Sequence, residues 1–209
     1  MTDTSAPITP QEVASWYQNG TFTEDWTSWH FTVWVKLLGS LRFGQISALE
    51  IGSWEGRSAL FFLNYLPGCR LVCIDTFTGG EEHQNDPKWV AALAGLEQRF
   101  DNNLAAFKSR VEKIKATSHL ALAALGVSRR RFDLAYIDGS HLATDVYSDA
   151  MLTWPILNRK AILIFDDYEW VDAPEEHKRP KPGIDAFLWH VINEYVILYR
   201  GYQLILQKM

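Results

Sequence analysis

The stretch Leu49-Glu50-Ile51-Gly52-Ser53-Trp54-Glu55-Gly56-Arg57-Ser58 decides the fold. An apolar run closes on an acid, two glycines follow, and a helix-forming segment begins at once. That is how a buried strand turns into a crossover helix, and in open α/β sheets ligands bind outside such carboxyl ends. Gly52 and Gly56 carry no Cβ, so the backbone can turn sharply there and come close to a ligand. An ordinary tight turn asks for the same residues.

Outward from this stretch, short apolar runs alternate with longer amphipathic ones from residue 46 to the end, the pattern of a parallel sheet with crossover helices. Strands are expected at Ile46–Ile51, Arg70–Asp75, Val111–Ala116, Phe132–Asp138, Ala161–Asp166, Tyr195–Leu198 and Gln203–Gln207. Helices are expected within Ser58–Leu66, Pro87–Phe107, Ser118–Leu125, His141–Leu157 and Gly183–Asn193, with Pro67-Gly68 as a stop signal. Only Tyr199-Arg200-Gly201-Tyr202 separates the last two strands, too little for a parallel crossover, so they should form an antiparallel hairpin. The fold class is α/β, a seven-stranded and mostly parallel sheet with helices on both faces. Residues 1–45, with Trp16, Tyr17, Phe22, Trp26, Trp29, Phe31 and Trp34, read as a helical or irregular extension that packs on the 46–209 domain, or as a lid over its site. Pro174–Pro182 reads as an exposed, charged loop.

Composition bounds the function. The 209 residues, 47% hydrophobic and 22% charged, suit one globular domain, and a net charge of -5 offers no basic field for nucleic acid. The groups Lys108–Lys115 and Arg129–Arg131 read as solvated faces. Cys69 and Cys73 flank a buried run and are expected to be reduced core thiols, without zinc-ligand spacing. The start MTDTSAPITPQ lacks a basic region followed by an apolar one, and no apolar run is long enough to span a membrane, so a cytoplasmic protein is expected.

The glycine loop is not that of a dinucleotide fold, because Trp54 stands at the second glycine position, and no Gly-Lys-Ser/Thr follows for a Walker loop. The second strand ends in Cys73-Ile74-Asp75, where a carboxylate can accept both hydroxyl protons of a ribose, each bond contributing roughly 1.5–3 kcal/mol. A helix cap or turn is the plain alternative for Asp75. The fourth strand runs into Asp138-Gly139-Ser140-His141 and the fifth into Asp166-Asp167, so three carboxylates gather at one sheet edge. Two unit charges 4 Å apart repel by roughly 4 kcal/mol at an effective dielectric near 20, which implies a bound cation or raised pKa values. All-oxygen ligation suits Mg2+, Mn2+ or Ca2+, and Mg2+ best where positions are left for water and substrate. Successive strand side chains point oppositely, so Asp166 and Asp167 share an ion only if the strand ends between them; otherwise Asp167 caps a turn.

These motifs resemble the class I S-adenosylmethionine-dependent methyltransferases, over roughly residues 46–209, and are most similar to small bacterial metal-dependent O-methyltransferases of the sugar and catechol kind. The resemblance implies a Rossmann-like sheet. It implies that Glu50, Gly52, Ser53, Gly56 and Ser58 hold the amino acid part of the cofactor, that Asp75 and Thr76 hold its ribose, and that Ala116-Thr117-Ser118-His119 lies against adenine, with Thr117 and Ser118 in contact. Ser118 reads equally well as a helix N-cap. It further implies Asp138, Asp166 and Asp167 as metal ligands, Asp138 also bordering the cofactor and serving catalysis, and His141 as the base. A local hydrogen bond early in a helix is the alternative for His141. The implied reaction moves a methyl group to a hydroxyl of a small molecule held on the ion. Two departures stand out: Ser140 replaces an Asp of some sugar enzymes, and Asn158-Arg159-Lys160-Ala161 replaces the Gly-Gly turn before the fifth strand. A metal-independent methyltransferase and a non-catalytic cofactor-binding domain are the rival readings. Exposed N-terminal aromatics make a homodimer contact reasonable.

Overall fold

The computed structural model describes residues 8–84 and 86–209. The seven strands are β1 (Ile46–Ile51), β2 (Cys69–Asp75), β3 (Val111–Lys115), β4 (Phe132–Ile137), β5 (Leu157–Phe165), β6 (Tyr195–Arg200) and β7 (Leu204–Lys208). They lie in the order β3-β2-β1-β4-β5-β7-β6. The first five are parallel, and β7 runs antiparallel to both β5 and β6, so the expected α/β sheet with its C-terminal hairpin forms. The helices are α1 (Pro10–Ser15), α2 (Phe31–Leu37), α3 (Arg57–Tyr65), α4 (Glu81–Gln84), α5 (Val90–Leu93), α6 (Leu96–Asn103), α7 (Ser118–Val127), α8 (Ala143–Thr153) and α9 (Pro180–His190).

Two cores result, one on each face. Leu49, Ile51, Ala135 and Leu163 pack under α7, α8 and α9, while Ala48, Leu71, Leu134 and Ile162 pack under α2, α3 and α6. Alternation along each strand puts apolar side chains on both faces, which is why the runs read as continuously hydrophobic. The residues before 46 belong to the second core. Trp34 is fully buried there, its Nε1 donating to Gln203 Oε1 at 2.8 Å, and Phe31 stacks on Phe61 at 4.5 Å. Glu55 of the loop and Arg57 at the start of α3 clamp the same segment: Arg57 makes a bidentate pair with Asp25, and buried Glu55 accepts from Thr23 N at 2.6 Å and from Arg99 Nε.

Several boundaries differ from the sequence expectation, each for a local reason. The stretch 87–107 breaks into α5 and α6 because Gly95 takes a left-handed φ of 75° between them. The expected helix from His141 starts instead at Ala143 and stops at Thr153, where Pro155 turns the chain into a 3-10 turn. Ser118 is the first helical residue of α7 rather than its cap, and Thr117 takes the cap position without a capping bond. β5 starts four residues early: Leu157 pairs with Phe132, the ladder then slips so that Leu134 faces Ile162, and Lys160 at φ 65° absorbs the excess. Asn158 Nδ2 fixes that bulge by donating to Asp133 Oδ1 at 2.7 Å, in place of a Gly-Gly turn. The exposed loop ends at Arg179, because Pro180 and Pro182 form the first turn of α9, where a missing N–H costs nothing. Cys69 and Cys73 are buried free thiols, burial pushing Cys69 up to about 12. Among the described residues no helix is long and apolar enough to cross a membrane.

Gly52 shows how tightly the strand ends are drawn together. Its φ is 83°, and a Cβ there would stand 1.9 Å from the Asp138 carbonyl oxygen, whereas a Cβ on Gly95 would meet nothing closer than Arg99 Nη1 at 3.5 Å. Gly95→Ala is expected to cost about 1–2 kcal/mol, the penalty of the left-handed region alone. Gly52→Ala should cost clearly more, because backbone must also shift. Equal losses in urea unfolding would refute the contact.

Candidate active site

One cavity of about 850 Å³ opens over the carboxyl ends of the parallel strands, with Gly52, Asp75, Thr76, Asp138, Asp166 and Asp167 on its wall. The ladder continues past the strand ends and fixes this edge: Gly52 N donates to Ile74 O at 2.9 Å, Asp138 N to Ile51 O at 2.8 Å and Asp166 N to Ile137 O at 3.0 Å.

At the β2 end, Asp75 is committed largely to the glycine loop. Its Oδ2 accepts from Ser53 N and Trp54 N, each at 2.8 Å, and its Oδ1 from Phe77 N at 2.6 Å. The turn alternative is thus realised, and three of about four acceptor positions on the carboxylate are filled. Burial still holds its pKa above the ordinary value. Glu50, Ser53 and Ser58 are buried behind the loop, and neither they nor Gly56 reach the cavity wall. Ser58 Oγ donates to Glu50 Oε1 at 2.5 Å, Glu50 Oε2 has no hydrogen-bond partner among the described residues, and burial raises the Glu50 carboxyl to about 7. Thr76, Thr117 and Ser118 do line the cavity.

The three predicted acids come together, one oxygen from each lying within 4.8 Å of the others. Strand β5 stops at Phe165, and Asp167 adopts a left-handed φ of 56°, so neighbouring residues turn their carboxylates to the same place. Tyr136, two residues before Asp138 on the same face of β4, lies between two of them. Its hydroxyl bonds Asp138 Oδ2 at 2.8 Å and makes a very short contact with Asp166 Oδ2. Burial first, then repulsion among the acids, raises Asp138 well above the carboxylate range and Asp166 to about 7. Asp167 accepts from Tyr202 Oη at 2.8 Å and bonds His141 Nε2 at 2.9 Å. His30 Nε2 is 3.6 Å from Asp166 Oδ1, but burial lowers its pKa to about 4, so it stands there as a neutral ring.

Aromatic walls surround this edge. Trp29 packs on Tyr202 at 4.9 Å and Trp170 on His141 at 4.5 Å. Trp26, Trp54, His83 and Trp89 form a closed cluster with ring centroids 4.8–6.3 Å apart, joining the N-terminal segment, the glycine loop and the α4–α5 region. Sequence reasoning assigned no role to Tyr136, His30, Tyr202, Asp149 or His83. Tyr136 and Asp149 did leave signals: a phenol two residues before a site acid, and an acid on the buried stripe of an amphipathic helix. The others meet the site only through the tertiary fold.

Residues 49–168, more than half of the chain, match the family model described as a methyltransferase domain. An uncharacterized protein of Acanthamoeba polyphaga mimivirus is 25% identical over 145 residues, which cover 67% of this chain and 59% of that protein, so the chain spans less than two thirds of its curated relative. Among solved structures, MycE methyltransferase from the mycinamycin pathway, in complex with Mg, S-adenosylhomocysteine and mycinamycin VI, superposes with a TM-score of 0.66 at 17% identity, covering 94% of this chain and 53% of that one. The O-methyltransferase TomG of Streptomyces achromogenes, in complex with S-adenosylmethionine, gives 0.63 at 17% identity over 95% of this chain and 88% of its own. At such identities the structural likeness speaks for the fold, while the family match covers the glycine loop, Asp75 and all three clustered acids. The chain has the class I methyltransferase fold and belongs to the methyltransferase-domain family.

Proposed function

We propose that this protein transfers a methyl group from S-adenosylmethionine to a hydroxyl of a small molecule, using a divalent ion such as Mg2+ at Asp138, Asp166 and Asp167 and His141 as the base. The carrying observation is the convergence of three carboxylates on the wall of the cavity that Asp75 also lines. The donor set fits a hard cation. It is all oxygen, and the pKa values of Asp138 and Asp166 are raised first by burial and then by mutual repulsion, both of which a cation would offset. The cavity volume and the polar groups of its wall fit a nucleoside carrying an amino acid.

When bound, S-adenosylmethionine supplies an electrophilic methyl on a sulfonium centre. A divalent ion at the three acids supplies positive charge that lowers the pKa of a hydroxyl placed against it. The remaining work falls to the chain. Asp75 offers its last acceptor position to the ribose, while Thr76, Thr117 and Ser118 border the ribose and base. Glu50 supports the loop from behind, its Oε1 accepting from Ser58 Oγ at 2.5 Å. His141 takes the hydroxyl proton, and Asp167, bonded to its Nε2, holds the ring in place. Trp29, Trp170 and Tyr202 keep water from the reacting oxygen. The N-terminal segment acts as a lid, closed through the Trp26 cluster. One observation favours metal-independent transfer as the second reading: Tyr136, Tyr202 and His141 already engage the carboxylates.

Calorimetric titration with S-adenosylhomocysteine and then Mg2+ separates these readings. Wild type is expected to bind both, and Asp138→Asn to keep the nucleoside while losing roughly 100-fold in Mg2+ affinity. Methyl transfer unaffected by chelator, with no heat from Mg2+, would establish the second reading, and failure of wild type to bind the nucleoside would end the proposal. Glu50 gives a pH test on the ligand-free protein. Its folded pKa is raised from 4.5 to about 7, so its contribution is complete below pH 4.5 and is lost as pH rises through about 7. The loss is on the order of 3 kcal/mol. Thermal unfolding of Glu50→Gln should lack that part of the slope between pH 4.5 and 7 and be the more stable at pH 8. If the lid reading holds, Trp26→Ala should speed nucleoside release by about tenfold in stopped-flow fluorescence, and an unchanged off-rate would remove it.

A further inference from the structure

His30 brings a buried nitrogen up to the clustered acids from outside the stretch that matches the family, and the chemistry above leaves it without a task. It closes the short 3-10 turn Ser28–His30 ahead of α2 and is 7% exposed. Three rings hold the imidazole: Trp29 at 5.0 Å, Trp34 stacked at 6.1 Å and Tyr202 stacked at 5.8 Å. Trp29 and Trp34 belong to the N-terminal segment and Tyr202 to the turn between β6 and β7, so both ends of the chain set the ring's place. Among the described residues Nε2 has no hydrogen-bond partner, and it stands 3.6 Å from Asp166 Oδ1. A shift of about 0.5 Å closes that gap to an ordinary N–H···O bond. Asp166 Oδ1 also accepts from Asp167 N at 2.9 Å, and Oδ2 meets the Tyr136 hydroxyl, so neighbouring donors turn this carboxylate on every other side. A buried ring nitrogen without a partner is rare in folded proteins and calls for an explanation.

We propose that His30 is a positioning residue for the divalent ion: its Nε2–H donates to Asp166 Oδ1 in the ion-loaded protein and fixes that carboxylate in its ligating direction. The inference rests on the reading of Asp138, Asp166 and Asp167 as the ion's ligands. Carboxylates that bind metals depend on such outer donors, because a ligand that is free to turn must be ordered when the ion arrives. The clamped imidazole suits this task, since the three rings around it leave it little freedom of its own. The N-terminal segment thereby becomes part of the ion site, although the family pattern begins only at residue 49.

Calorimetry of the whole chain with Mg2+ and, separately, with S-adenosylhomocysteine tests this. His30→Phe keeps a flat ring and removes the donor, so it should lose at least about tenfold in Mg2+ affinity and bind the nucleoside as wild type does. His30→Gln, whose amide nitrogen can stand where Nε2 stood, should recover most of that loss. His30→Leu, also without a donor, serves if the phenylalanine variant does not fold. Unchanged Mg2+ affinity in a folded variant without the donor overturns the proposal and leaves the ion reading intact. Equal losses for ion and nucleoside, with no recovery in His30→Gln, mean that His30 only packs, and overturn it as well. Failure of wild type to bind Mg2+ overturns the ion reading and this inference together.

Discussion

Crowding of carboxylates along one sheet edge is the constraint around which the rest of the molecule is arranged. Glu50, Asp75, Asp138, Asp166 and Asp167 all fall at the carboxyl ends of β1, β2, β4 and β5, and Asp149 lies against the same cavity. Each acid is accommodated differently. Asp75 is covered by backbone amides, Glu50 by a serine hydroxyl and a raised pKa, and Asp167 by Tyr202 and His141. Asp138 and Asp166 share the hydroxyl of Tyr136, which has one proton for two acceptors. Burial and then mutual repulsion raise the pKa values of both carboxyls.

This arrangement explains why Gly52 is more than a hinge. The sequence suggested that its freedom lets a ligand approach, yet the close neighbour is the Asp138 carbonyl of the chain itself. Bringing β1 and β4 together there puts the glycine loop over Glu50 and leaves Asp138 on the cavity wall. Asp75 then secures the loop from the other side through Ser53 N and Trp54 N. The loop is fixed at both flanks by groups that also face the proposed ligands, so loop geometry and site chemistry are coupled through the same atoms.

The sheet was legible in the sequence because buried parallel strands are short, apolar and regularly spaced, and every expected strand is present. The gathering of Asp138, Asp166 and Asp167 was legible too, since strand-end position follows from the same pattern. How Asp166 and Asp167 face one point was not, because it depends on a left-handed residue that no glycine or asparagine announces. Helix limits near 95, 155 and 180 differ from the periodicity where single backbone preferences at Gly95, Pro155 and Pro180 outweigh it. His30, Trp29 and Tyr202 were illegible for a different reason: they come from the two ends of the chain and meet only when it folds.

That meeting bears on specificity. The family match stops at residue 168 and starts at 49, yet Trp26, Trp29 and His30 precede it, and Trp170 and Tyr202 follow it. Trp34 bonds Gln203 in the core directly beneath, so the N-terminal segment and the C-terminal hairpin are locked as one wall. The part that the chain shares with its family carries the glycine loop, Asp75 and the acids, the groups proposed to serve cofactor and ion. The aromatic wall draws on both, with Trp54, His83 and Trp89 inside the matched stretch and Trp26, Trp29, Trp170 and Tyr202 outside it, all lining the same cavity. Under the proposed function, an acceptor beside the clustered acids would meet aromatic side chains from outside the matched stretch as well as from within it, and such side chains favour a flat or apolar face.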